Sequence, residues 1–132
     1  MTSPSITLYG IPNCDTVKKA RAWLARAGVV AQFHDFRKQG VPEARLDCWI
    51  ARAGWETLLN RKGTTWRKLD AATQTAVRDA ASAKALMLAQ PSVIKRPVVE
   101  WDNQADPAIT VGFDTQIFTK ALPGGTIGPN GQ

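Results

Sequence analysis

A thiol is the strongest nucleophile a neutral side chain offers near physiological pH, and this chain has two, Cys14 and Cys48, with one histidine, His34. Cys14 is the better placed of the two. It follows a strand-like run, Ile6-Thr7-Leu8-Tyr9, and a loop, Gly10-Ile11-Pro12-Asn13, and it opens a segment of helical period. Unpaired backbone N–H groups of the first helical turn, those of Thr16 and Val17, point toward a side chain at that position. The positive end of the helix dipole also favours an anion there. Both lower a thiol below its free value of about 8.5, and the thiolate is the reactive form. Lys18 and Arg96 would add to the effect if they face the sulfur, and Asp15 would oppose it. Serine, aspartate or asparagine would cap a helix better on structural grounds alone, so cysteine here points to reactivity.

The motif Cys14-Asp15-Thr16-Val17 lacks the second thiol of a C-x-x-C pair. A lone nucleophile that attacks a disulfide or an oxyanion stays bound to it until another thiol resolves the adduct. Glutathione, abundant and anionic, fits that part as a thiol co-substrate, with Asn13, Asp15, Thr16, Val17 and Lys18 around it. Arg96-Pro97 is the second element. An X-Pro bond before a strand can be cis, which marks a tight functional turn. Arg96 would present a forked cation suited to a carboxylate or oxyanion. Arg61 and Lys62 either neighbour the cleft or are solvated charge. Cys48, beside Trp49 and Ile50 in a helical stretch, reads as packing more than as an internal resolving thiol. His34 lies within a strand and reads as structural, and the tryptophans as packing residues. One histidine and two cysteines do not make a tetrahedral zinc site, so neither a metal nor a bound organic cofactor is expected.

The elements that must position these residues follow from period and punctuation. Val17, Ala20, Trp23, Leu24 and Ala27 recur at helical spacing, and Gly28 stops them. Ala31 to Phe36 reads as a second strand. Strand, helix and strand in so short a span make a βαβ unit with parallel strands. Pro42 starts a helix whose apolar face is Leu46, Trp49, Ile50 and Ala53, and Gly54 ends it. A turn is expected over Trp55 to Asn60, then a segment from Gly63 through Leu69. A helix capped by Ser82 follows, carrying Leu86 and Met87 and terminated by Pro91. Val98 to Trp101 and Ala108 to Val111 read as strands around the turn-like Asp102-Asn103-Gln104. Asp114 caps a last helix with Ile117, Phe118, Ala121 and Leu122 toward the sheet. The fold class is therefore α/β, a thioredoxin-like mixed sheet (βαβ…ββα) with an all-helical insertion. The expected organisation is one domain, 1–122, with the insertion at about 41–92 and a flexible Gly- and Pro-rich tail at 123–132.

Composition limits the function classes. A chain of 132 residues with 44% hydrophobic and 21% charged residues suits one globular domain, not a disordered one. No apolar run reaches the length of a membrane helix, about 20 residues. The amino terminus lacks signal-peptide character, so a cytoplasmic location is expected. The net charge of +6 suggests anionic partners. Its cations are spread over Lys18-Lys19-Arg21, Arg61-Lys62, Arg67-Lys68 and Lys95-Arg96, which favours a small anion over nucleic acid. Few exposed apolar runs are evident, and a monomer is expected.

The run from Ile6 to Arg21, then Gly63-Thr64-Thr65-Trp66-Arg67-Lys68-Leu69, then Ile94-Lys95-Arg96-Pro97 together resemble the arsenate-reductase-like (ArsC/Spx) family, nearest its YffB branch of glutathione-dependent thiol reductases. The resemblance spans roughly Ile6 to Leu122. It implies a nucleophilic cysteine at Cys14, an anion-holding arginine at Arg96, and an oxidoreductase that works with glutathione and, in the arsenate reductases, with glutaredoxin. Three positions depart from those reductases. Gly10 stands where they carry a histidine. Asn60 stands at a second arginine, with Arg61 adjacent. Ile109 to Val111 holds no counterpart of a third. Arsenate reduction is therefore the weaker expectation. A non-enzymatic regulator that binds RNA polymerase, as in the Spx branch, is a further alternative. That branch usually carries C-x-x-C, and Val17 rules out a disulfide switch at this loop.

Overall fold

The computed structural model describes residues 6–102 and 107–122. In chain order the elements are β1 (Ile6–Gly10), α1 (Asp15–Arg26), β2 (Ala31–Asp35), α2 (Phe36–Gln39), α3 (Glu43–Ala53) and α4 (Trp55–Leu58). Then come α5 (Thr64–Lys68), α6 (Ala71–Ala76), α7 (Ala80–Ala89), a 3-10 turn (Pro91–Val93), β3 (Val98–Glu100), β4 (Ile109–Val111) and α8 (Thr115–Ala121). The chain divides into two compact units. One combines the described residues up to Gln39 with those from Arg96 onward, and the other is Gly40–Lys95.

The first unit is a four-stranded mixed sheet in the order β2-β1-β3-β4, with β1 parallel to β2 and antiparallel to β3. This is the thioredoxin-like βαβ…ββα frame, with the helices α3 to α7 inserted between its halves. Strand alternation sends Ile6 and Leu8 of β1, and Val99 and Trp101 at β3, to one face. There they pack with Val17, Ala20 and Leu24 of α1 and with Phe118 and Leu122 at α8. Val17, Ala20 and Leu24 are spaced three and four apart, so they form one stripe of α1. The helix ends in a Schellman motif. Val29 N–H donates to Leu24 O at 2.9 Å, Gly28 N–H donates to Ala25 O at 3.1 Å, and Gly28 takes φ +76°. Phe118 meets Trp101, Phe113 and Trp23 edge-on at 4.9, 5.0 and 5.5 Å. Ile117 does not face the sheet as expected: it is 51% exposed, because Phe118, one residue on, already fills the core side of a short helix.

In the second unit Leu46 and Trp49 of α3 are fully buried, and Gly54 ends that helix with φ +88°. Trp55 to Leu58 is a short helix where a turn was expected. The helix α6 escaped the sequence reading because its residues, Ala-Ala-Thr-Gln-Thr-Ala, bury nothing and leave no apolar stripe. The cap of α7 is also corrected. Asp79 occupies that position and its carboxylate accepts the Ser82 N–H at 2.9 Å, while the Ser82 hydroxyl accepts the Asp79 N–H at 3.1 Å. Ser82 thus serves the third position of a reciprocal capping box. Lys84 links α7 to α3 through Glu43 and Asp47, each at 2.8 Å. The turn expected at Asp102-Asn103-Gln104 falls partly, and the tail at 123–132 wholly, outside the described residues.

Candidate active site

Sheet topology brings the sulfur and the arginine together. Because β1 and β3 run antiparallel with Tyr9 opposite Val98, the end of β1 lies beside the beginning of β3. The loop that leaves β1 carries Cys14, and the residues that enter β3 are Arg96 and Pro97. Both therefore emerge at the same end of the sheet. The Arg96–Pro97 peptide bond is cis, as the X-Pro sequence suggested. Pro97 is buried, and its carbonyl accepts the Gly112 N–H at 2.9 Å, which ties this entrance to the end of β4.

Cys14 is the N-cap of α1, with extended backbone angles (φ −112°, ψ 124°), and its carbonyl accepts the first helical bond from Lys18 N–H at 2.9 Å. The thiol is half-buried and forms no disulfide. It closes no conventional cap hydrogen bond, yet several groups act on its charge. Burial of the sulfur opposes ionisation and is the largest single influence. The Val17 N–H, the hydrogen bond and charge of the Arg96 guanidinium, and the Thr16 N–H together outweigh it. The balance lowers the thiol below its ordinary value of 9.0. The helix N-terminus thus supplies donors to the sulfur and Arg96 supplies the cation.

The remaining candidates separate clearly. Asn13, Asp15, Thr16 and Lys18 are exposed around Cys14, whereas Val17 is fully buried and offers the sulfur its backbone alone. Neither Asp15 nor Lys18 figures among the groups that shift the thiol. Arg96 is half-buried, with its Nε enclosed. Arg61 belongs to the second unit, where its guanidinium lies over Trp55 and Trp66 at 5.6 and 5.8 Å from the ring centres. Cys48 is half-buried on α3 in that same unit. His34 packs its ring on Tyr9 at 4.9 Å and on Phe36 at 6.0 Å. Among the described residues no cluster of three or more histidine, cysteine or carboxylate side chains is arranged to hold a metal ion, and no helix is long and apolar enough to cross a membrane.

Two features escaped the sequence reading. Gly10 is in such close contact with α1 that a Cβ there would lie 2.8 Å from Val17 Cγ2. Glu100, a carboxylate within the apolar run Val98-Val99-Glu100-Trp101, is buried and accepts the Tyr9 hydroxyl hydrogen bond at 2.9 Å. An acidic residue breaking an otherwise apolar strand was the available signal for it.

The ArsC family model matches residues 9–120, a span that includes Cys14 and the Arg96–Pro97 entrance. The chain belongs to the ArsC family. Among its members, the YffB (PA3664) protein has 48% identity and a TM-score of 0.81, over 90% of this chain and 100% of that one. An arsenate reductase (ArsC) related protein from Brucella melitensis also has 48% identity, with a TM-score of 0.69 over 89% and 94% of the two chains. An uncharacterized protein of Haemophilus influenzae is 37% identical over 89% of this chain and 98% of its own length. The global transcriptional regulator Spx of Streptococcus mutans is 27% identical over 89% of this chain and 83% of its own.

Proposed function

We propose that this ArsC-family chain is a glutathione-dependent thiol–disulfide oxidoreductase with Cys14 as its single nucleophile, acting in a reducing cytoplasm. The observation that carries the reading is the half-buried, helix-capping sulfur, lowered in pKa by the Val17 N–H, Arg96 and the Thr16 N–H against its burial. In the forward step the Cys14 thiolate attacks the glutathione sulfur of a mixed disulfide. A Cys14–glutathione disulfide forms, and the other sulfur leaves as a thiolate that takes a proton from water. A second glutathione, as thiolate, then attacks that adduct, releasing oxidised glutathione and restoring the Cys14 thiolate. The net reaction converts one mixed disulfide and one free glutathione thiol into one free thiol and oxidised glutathione, so atoms and electrons balance with no other reductant. Arg96 and the exposed polar rim of Asn13, Asp15, Thr16 and Lys18 face the anionic tripeptide, and a helper glutaredoxin is not required by this cycle. Turnover of the mixed disulfide of glutathione and mercaptoethanol tests the reading: Cys14→Ser abolishes it, and equal rates for the two proteins remove the proposal.

Arsenate is the less favoured substrate, because Gly10 leaves no side chain over the loop and Val17 fills the space in which one would start. The 27% identity to a transcriptional regulator supports a second reading, a polymerase-binding adaptor. Recovery of RNA polymerase from lysate by the wild-type and Cys14→Ser proteins alike would favour it.

A further inference from the structure

The thiol chemistry makes no use of the buried pair Tyr9 and Glu100, each 6% exposed and joined by the hydroxyl-to-Oε1 hydrogen bond of 2.9 Å. A carboxylate in such a place is costly, and an apolar side chain of similar volume would stabilise the sheet at least as well. The best-attested use of such a group is to fix register, and the apolar alternation of β1 and β3 by itself does not distinguish every register. The ladder between β1 and β3 has three pairs, Thr7 with Glu100, Leu8 with Val99, and Tyr9 with Val98. A slip by one residue would turn Leu8 and Val99 to opposite faces and is excluded by the core. A slip by two would not. It would keep Ile6, Leu8, Val99 and Trp101 all on the core face while moving Arg96 along the strand by about 6.6 Å relative to the Cys14 loop. A polar pair fixed at one place on each of these two strands separates the two arrangements. Tyr9 reaches diagonally across the ladder, two positions from the residue opposite it, and so reads the observed register and no other.

We infer that Tyr9 and Glu100 are positioning residues that select the β1–β3 register and thereby hold Arg96 beside Cys14. Tyr9 stands five residues before the cysteine, and Glu100 four after the arginine, each on the strand that delivers it. Loosening the bond lets the two strand ends move relative to each other without unfolding the sheet. The inference rests on the thiolate reading of Cys14, and the experiment keeps the two apart.

The measurement is the pH profile of iodoacetamide alkylation at Cys14 in Tyr9→Phe, Glu100→Leu and Glu100→Gln, with Arg96→Ala as the reference for a lost guanidinium. Thermal melts accompany each, and Cys48→Ser is the common background. Tyr9→Phe and Glu100→Leu should slow alkylation near neutral pH by about threefold, part of the roughly fivefold open to complete loss of the Arg96 contact. Their profiles should move toward that of Arg96→Ala. Glu100→Gln keeps the Oε1 acceptor and should keep most of the wild-type profile. Profiles of Tyr9→Phe and Glu100→Leu that superimpose on wild type while their melting temperatures fall would overturn the inference and leave the pair a stabilising contact only. If Arg96→Ala also superimposes on wild type, the arginine does not act on the sulfur and the inference falls, whereas a wild-type profile no more acidic than a free thiol would remove the thiolate reading itself. Should Tyr9→Phe fail to fold, the two Glu100 variants decide the question.

Discussion

Replacing Arg96 with alanine is the sharpest test of how the site is poised. The change removes both the side-chain hydrogen bond and the Coulomb attraction that Arg96 exerts on the Cys14 sulfur. Burial, which opposes the thiolate, stays, as do the Val17 and Thr16 N–H groups that favour it. The thiol pKa therefore rises. A hydrogen bond to an ionised group contributes about 1.5–3 kcal/mol when shielded from water. Cys14 is only half-buried, so solvent screening reduces this to about 1 kcal/mol. That corresponds to roughly fivefold less thiolate at any pH well below the ordinary thiol value. Iodoacetamide, which reacts with thiolate and not thiol, should label Arg96→Ala about fivefold more slowly near neutral pH and catch up in alkaline buffer. Arg96→Lys keeps a cation without the fork and should fall between the two. An Arg96→Ala protein that melts like wild type and alkylates at the wild-type rate at every pH would refute the assignment of the arginine to the sulfur.

Three other outcomes follow from the same contacts. Cys14 is an acid whose folded pKa lies below the unfolded 9.0, so its ionisation stabilises the fold fully above that value and ceases to do so as pH falls through the lowered one. The melting temperature of wild type relative to Cys14→Ser should therefore rise as pH is raised toward 9.0, and a relative value that falls would reverse the sign of the shift. Gly10→Ala places a Cβ 2.8 Å from a fully buried, β-branched side chain, for a loss of about 1–3 kcal/mol in urea denaturation; combined with Val17→Ala it should lose less than the sum of the two single changes. Asp114 accepts the Gln116 and Ile117 N–H groups at 2.9 and 3.0 Å, so Asp114→Ala should lose about 1 kcal/mol by the same measurement, with Asp114→Ser restoring most of it.

Much of this was legible before any coordinates, and the reasons differ by element. The first βαβ unit was readable because each part is local: alternation in Ile6-Thr7-Leu8-Tyr9, a helical stripe from Val17 to Leu24, and a positive-φ glycine at Gly28. The cysteine cap and the cis bond before Val98 were readable for the same reason. What stayed hidden depends on pairing. That Arg96 acts on the sulfur while Lys18, four residues from it, does not is a consequence of antiparallel β1 and β3, which no local pattern states. Tyr9 and Glu100 lie 91 residues apart, and although Glu100 stands out in an apolar run, its partner is not identifiable until the ladder places the two on one face. Serine caps well, which makes Ser82 read as the cap; Asp79, three residues earlier, caps as well and gains the reciprocal bond. The short helix α6 has no buried residue, so its formation owes more to the Asp70 cap, whose side chain accepts the Thr73 N–H at 2.7 Å, than to any apolar pattern.

The absence of a second thiol at the loop is a matter of packing as well as of sequence. The position three residues after Cys14 has two assets, an N–H and a side chain, and the fold uses them in opposite directions. The Val17 N–H serves the sulfur. Its side chain joins the core cluster with Leu8, Leu24 and Phe118 and closes on Gly10. Bulk at Val17 and its absence at Gly10 are thus one contact read from two sides, seating the start of α1 against the end of β1. The same contact that orients the N–H donors toward Cys14 takes the place a local resolving thiol would occupy. A site built this way holds its sulfur by backbone donors and by Arg96, and its loop offers no second thiol beside it.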